Sequence, residues 1–305
     1  MNLDELIISM YCRIDDEIKI VLQRLGLHRL RQRGPAPKLS DSEVLTLECV
    51  GELLGFACDK HLFTYFARHF LAFFPALAQT SRTSFVRQAA NLWGVKKQLW
   101  QRLTREVAPA DERLHIVDSL PLPVCRFARA SYCKNFRGSA RYGKDHSDRQ
   151  TFYGFRLHAR LTLPGFITEL FVAPANESEQ SLLPSLATSA PANCVLLGDR
   201  NYCVHELKAR LAQDGQQLLT PPARQAKNDP EELKGKKWAF SDLRYRIETV
   251  FGQLTERFGI KRIWAKDLWH LTSRIYRKVL AHTLAVIINR EMGNRPLQLE
   301  LLVQA

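Results

Sequence analysis

Three acidic residues stand where their surroundings give no ordinary reason for a charge. Asp118 follows the apolar run Leu114-His115-Ile116-Val117, and Asp199 follows Cys194-Val195-Leu196-Leu197-Gly198. Each closes a short run that reads as a buried strand, where a bland carboxylate is unexpected. The third, Glu248, lies in a segment in which Leu243, Ile247, Val250, Phe251, Leu254 and Phe258 recur at helical spacing. That periodicity makes an amphipathic helix with Glu248 at the edge of its apolar stripe and Arg244 one turn earlier on the same side, capped by Ser241 or Asp242. A lone glutamate in such a place is ordinarily solvated. With two strand-end aspartates upstream, it becomes a candidate for a shared site, and three carboxylates brought together would offer the oxygen-only ligands that select hard divalent cations.

The chain has 305 residues, enough for two domains each with its own core. No stretch of about 18 uncharged apolar residues occurs, which argues against a membrane span. Asp4, Glu5, Asp15, Asp16 and Glu17 interrupt anything like a secretory signal. Seven cysteines are scattered without a CxxC pair, and an odd number cannot all pair within the chain, so they read as reduced thiols of a cytoplasmic protein. Cys125 and Cys133 with His115 or His146 match no familiar zinc spacing. Lys and Arg exceed Asp and Glu by 44 to 31, a formal charge of +13 that favours a polyanionic partner, nucleic acid being the commonest. A basic surface serving solubility is the other reading, and the location of the charges decides between them.

Residues 1 to 110 read as helical, with apolar returns at Leu3, Leu6, Ile7, Met10 and at Ile18, Val21, Leu22, Leu25. Gly26 to Lys38 breaks the pattern. Ser40-Asp41-Ser42-Glu43 has capping-box form. Helices are expected around 61–73 and 83–93, the latter carrying Arg82 and Arg87. It suits either the recognition element of a helix-turn-helix or one member of a bundle with surface arginines. From Leu114 short strands take over. Arg126, Arg129, Lys134, Arg137, Arg141, Lys144 and Arg149 are interleaved with Phe127, Tyr132, Phe136 and Tyr142, a composition suited to phosphate contacts and base stacking, with Asp145 and Asp148 reducing the local charge. Leu163-Pro164-Gly165 turns a hairpin between strands at 152–161 and 165–172. A helix at 178–187, a strand at 194–197, a helix at 205–213 and a strand at 217–220 follow. Residues 223–239 read as a surface connection to the helix of Glu248.

Strand, hairpin, helix, strand, helix, strand, helix is the order of a ribonuclease-H-like domain, in which the first and fourth strands lie side by side. The expected fold is α/β: a helical DNA-binding domain at 1–110, a mixed-sheet catalytic domain at 111–292 and a tail at 293–305.

From Leu114 to Asn289 the chain resembles the DDE transposases of bacterial insertion sequences. Ile116-Val117-Asp118-Ser119 looks like their first catalytic aspartate, and Tyr153-Gly154-Phe155-Arg156-Leu157-His158 is similar to the strand that often follows. Leu197-Gly198-Asp199-Arg200-Asn201-Tyr202 looks like the second aspartate, with Asn201 where glycine is common. Arg244 and Glu248 fit the spacing of the third acid. Ser241 and Thr255 stand where many relatives have tyrosine and lysine, which leaves Arg257, Lys261 or Arg262 for the basic role.

The resemblance implies that Asp118, Asp199 and Glu248 bind two Mg²⁺ ions, with Mn²⁺ as a substitute, to activate water or a DNA 3′-hydroxyl for attack on phosphorus. It implies double-stranded DNA as partner, both transposon terminal inverted repeats and target, gripped by Arg126, Arg129, Lys134, Arg137, Arg141, Lys144, Arg244, Lys261 and Arg262. A homodimer on DNA is expected, since two ends must be synapsed. A nuclease or junction resolvase that cuts without joining, and an inactive DNA-binding repressor, are the competing readings. Ser119 and His158 lack the Gly-x-Ser-x-Gly elbow and third member of a hydrolase triad.

Overall fold

The computed structural model describes residues 1–108, 112–145, 149–221 and 231–302, and the side chains among them except those of 231–242 and 301. His146, Asp148 and residues 223–230 of the expected connection therefore lie outside the described residues. Two compact units emerge, one formed by Met1–Leu103 with Leu254–Ala305, the other by Thr104–Gln253.

In the first unit, helix α1 (Leu3–Leu25) starts at a capping box of Asn2 and Glu5 and ends at Gly26, whose φ of 62° suits a residue without Cβ. Helix α2 (Asp41–Leu53) starts at the expected box, Ser40 and Glu43 each accepting from the other's backbone amide. Helices α3 (Asp59–His69), α4 (Arg82–Asn91, capped by Ser81) and α5 (Trp93–Val107) follow. Helix α9 (Leu268–Glu291) is buried on almost every side from Ser273 to Asn289, and it packs against α2 and α4. A helix buried on so many sides has to be enclosed by others. The sequence expectation carried the catalytic region on to residue 292, whereas α9 belongs to the helical unit.

The polar side chains of α9 are enclosed too. Lys96, fully buried on α5, lies 2.5 Å from Glu48 of α2. Arg277 of α9 reaches Glu52 at 2.5 Å and Asp59 at 2.8 Å, and Lys278 reaches Glu52 at 2.7 Å. Burial alone would raise the Asp59 carboxyl, but the Arg277 and Arg274 guanidiniums outweigh it and hold the group down at about 2. These charges are tolerable inside because each finds an opposite partner.

The second unit holds a six-stranded mixed sheet: β1 (Leu114–Cys125), β2 (Arg141–Asp145), β3 (Gln150–Thr162), β4 (Ile167–Pro174), β5 (Val195–Leu197) and β6 (Gln217–Leu219). The order is β2-β3-β1-β5-β6, with β4 also on β3. Long β3 pairs antiparallel with β1 and offers one stretch to β2 and the next to β4. Strand β2, inside the basic stretch, was not expected. A Cβ on Gly154 would come 2.3 Å from the Leu122 carbonyl oxygen, so glycine is required where β3 meets β1. Strands β1, β5 and β6 run parallel, β1 beside β5 as expected. Helices α6 (Glu179–Ala187) and α7 (His205–Gln213) bury Leu183, Leu186, Leu207 and Leu211 with Val117 and Leu196. This is an α/β, ribonuclease-H-like arrangement.

Helix α8 runs from Glu231 to Glu256, so Ser241 and Asp242 lie within it and do not cap it, and the expected connection is helical from 231 on. The lysine and glutamate content that reads as a surface connection is equally good helix former. No helix among the described residues is long and apolar enough to cross a membrane.

Candidate active site

The adjacency of β1 and β5 decides the site. Leu114, His115 and Ile116 pair in parallel with Val195, Leu196 and Leu197, so the two following aspartates come just past this ladder, Asp118 still within β1, where it pairs with Ala159, and Asp199 beyond the end of β5. The expectation of a strand end holds for Asp199 and not for Asp118. Successive residues of a strand face opposite ways. Val117 joins the α6 cluster, and Ser119 Oγ donates to Glu179 on α6. Asp118 therefore turns from α6 and lies 3.9 Å from Arg244 of α8. Asp199 closes β5 and begins a 3₁₀ turn, Arg200–Tyr202, its side chain accepting from the Asn201 amide at 2.9 Å. A Cβ on Gly198 would come 2.8 Å from the Tyr202 ring, so glycine there lets the wholly buried Tyr202 pack beneath the turn.

The electrostatics of the pair are those of carboxylates held without enough positive charge. Burial, and then the Glu179 and Asp199 carboxylates, push Asp118 up to about 7, against the lowering effect of the Ser119 amide and Arg244. Asp199 is raised too, by burial first and Glu179 next. Two oxygen-bearing acids driven toward protonation form the donor set that a hard divalent cation fits. Glu248 is placed differently: its side chain is 60% exposed and lies 3.9 Å from Arg244, the same guanidinium that approaches Asp118. Among the described residues no group of three or more His, Cys, Asp or Glu is gathered as a ready metal cluster.

The other expected residues divide. Arg126, Arg129, Lys134, Arg137, Arg141 and Lys144 are all exposed. Of the aromatics between them, Tyr132 is 83% exposed, while Phe136 is buried against Phe155 and is not available for base stacking. Phe127 and Tyr142 pack on each other edge to face. Half-buried Lys261 and exposed Arg262 belong to the helical unit, as does Arg257, which donates to the Leu53 carbonyl at 3.3 Å. His115 and Cys125 lie ten residues apart on one strand, about 33 Å, too far to share an ion. Wholly buried His158 is held near 4, by burial first, and so stays neutral. Ser119 donates to Glu179, so no serine nucleophile with a histidine base forms.

Sequence reasoning missed Glu179. Ser178 at the helix cap and an acid in the first turn read as ordinary helix initiation, which they also are. The acid's second use, toward β1 and the Asp199 turn, leaves no local signal.

A mixed ribonuclease-H-like sheet carries two aspartates on adjacent parallel strands, Asp118 within β1 and Asp199 just past β5, and their carboxylates are a donor set that would suit a hard divalent cation. Residues 109–263, just over half of the chain, match the family model of the transposase DDE domain, and the chain belongs to that family. Transposase DDE domains act on DNA and use divalent metal ions. A comparison with curated proteins finds no match.

Proposed function

We propose that this protein is the transposase of a bacterial insertion sequence, cutting DNA at the element's terminal inverted repeats and joining the freed 3′ ends to target DNA. The observation that carries this reading is the placement of Asp118 and Asp199 just past the β1–β5 ladder, both raised by burial, inside a transposase DDE domain. Asp118 and Asp199 would hold the cation, with Mg²⁺ the preferred ion and Mn²⁺ a substitute, and Glu248 is the third acid, supplied by α8. Bound there, divalent ions supply activation of the attacking oxygen and stabilisation of the leaving one. The chain's own residues do the rest. The Ser119 and Asn201 amides fix the aspartate oxygens at 2.8 and 2.9 Å, and the Arg244 guanidinium lies 3.9 Å from Asp118 and partly balances its charge. In the cytoplasm, as a homodimer on DNA, two such sites would act on paired ends, with the N-terminal helices reading the repeats through exposed Arg82 and Arg87 of α4.

The test is end joining. Duplexes bearing the repeats that flank the coding sequence, incubated with protein and Mg²⁺, should yield 3′ ends joined to a second duplex. Cleavage with no joined product would instead make this a nuclease or resolvase.

The basic stretch supplies a second measurement. Six exposed cations between Arg126 and Lys144 should neutralise phosphates, each contact adding about −0.9 to the slope of log K against log salt. Replacing Arg137 and Arg141 by Ala should flatten the slope by roughly two such increments. An unchanged slope and affinity would remove this loop from the DNA interface.

A further inference from the structure

We infer that Glu179 is the positioning residue of the aspartate pair, holding the two residues whose amides orient Asp118 and Asp199. The inference rests on the reading of those aspartates as the catalytic pair. Ser119 donates its backbone N–H to Asp118 Oδ1 at 2.8 Å and its hydroxyl to Glu179 Oε1. Asn201 does the same in the turn after β5: its backbone N–H reaches Asp199 Oδ1 at 2.9 Å, and its side-chain amide reaches Glu179 Oε2 at 3.1 Å. One carboxylate thus ties β1 beside Asp118 to the turn that presents Asp199, an oxygen to each.

The surroundings of Glu179 fix it in that role. Arg156 of β3 donates to Glu179 Oε1 at 3.3 Å and to Ser119 Oγ at 3.0 Å, and its other terminal nitrogen donates to the Lys144 carbonyl at 2.6 Å. Gln180, the next residue of α6, donates to the Asn201 carbonyl at 2.6 Å. The side chain of Glu179 is only 13% exposed. With both oxygens already accepting from protein donors, Glu179 is a brace between β1, β3, α6 and the Asp199 turn. Outer groups of this kind orient the ligands of a metal site, and their loss typically lowers metal affinity or activity about 10–100-fold.

The test uses the full-length protein without DNA, with Mn²⁺ binding followed by electron paramagnetic resonance and folding by circular dichroism. Glu179→Ala should weaken Mn²⁺ binding about tenfold or more. Glu179→Gln keeps an oxygen for Ser119 and Arg156, and Asn201 can turn its amide to meet the new one, so most of the affinity should return. Adding Ser119→Ala to Glu179→Ala should lose little more, because both break one connection. Equal weakening by Gln and Ala would overturn the brace in favour of direct ligation by the charge. Wild-type Mn²⁺ binding by a folded Glu179→Ala protein would overturn it outright. Should Glu179→Ala fail to fold, Ser119→Ala and Asn201→Ala each remove one arm, and undiminished Mn²⁺ binding by both would equally overturn the inference. Asp118→Asn separates the two levels. If it loses Mn²⁺ binding while the Glu179 variants do not, the brace alone falls; if it binds like the wild type, the reading of the aspartate pair falls with it.

Discussion

Asp118→Asn and Asp199→Asn are each expected to leave a folded, DNA-binding protein whose Mg²⁺-dependent strand cleavage has dropped by about a thousandfold or more. Asparagine keeps the shape and one oxygen but loses the charge that holds a divalent cation. Stability should move the other way. Asp118 is pushed up to about 7 by burial and by its acidic neighbours, so at neutral pH the fold is holding a charge it disfavours, and removing that charge should leave the metal-free melting temperature unchanged or higher. A purely structural carboxylate would show the opposite pairing, lost stability with retained activity. Glu248→Gln extends the series to α8. Its side chain is 60% exposed, so stability should change by no more than about 0.5 kcal/mol, while cleavage should fall with the aspartate variants. Combining the substitutions should add little, since groups that act as one unit are non-additive. Exposed Glu206 is a suitable control, and Glu206→Gln should cleave normally. Cleavage at the wild-type rate by Asp118→Asn would show that the acids on the adjacent strands are not the site.

Glu48→Leu should be among the most damaging substitutions in the helical unit. Glu48 lies 2.5 Å from Lys96 and 3.3 Å from Arg277, with all three side chains almost without solvent contact. Leucine would leave the Lys96 ammonium with only the Ala89 carbonyl and Ser273 hydroxyl, each at 2.9 Å, and no neutralising charge. Breaking such a buried pair costs about 3–5 kcal/mol, several times the effect of losing a surface pair. Urea titration followed by circular dichroism reads that loss directly. Glu48→Leu combined with Lys96→Met removes both charges and should recover much of the stability, because the desolvation cost disappears along with the attraction. A single-variant loss under about 1 kcal/mol would show that water or a rearranged partner reaches Lys96.

Local patterns in the sequence were enough for the elements that carry the chemistry. The Ser40 capping box, the Pro164-Gly165 turn, the helix after Ser178 and the apolar runs before Asp118 and Asp199 all depend on residues within a few positions of one another, and each stands in the structure where expected, except that β1 runs on past Asp118 to Cys125. Alternation and capping are short-range physics, legible without a fold. Their order along the chain also implied that the strands of Asp118 and Asp199 would be neighbours.

What only the tertiary structure decided involves residues far apart in sequence. Phe136 sits among cations in a loop yet is claimed by Phe155, and no local pattern distinguishes it from exposed Tyr132. Lys96, Arg277 and Lys278 count toward the basic composition that suggested nucleic acid, but they are spent on buried acids of α2 and α3. Helix α9 reads as a continuation of the catalytic region and is enclosed by the first helices instead, where Arg277 and Lys278 find acidic partners on α2 and α3. Glu179 was legible as a helix-starting acid, and its hold on Ser119 and Asn201, 60 and 22 residues away, exists only because α6 packs against both β1 and the Arg200–Tyr202 turn. A sequence shows which groups a chain has; which donor a buried carboxylate meets is settled by what burial brings within hydrogen-bond reach.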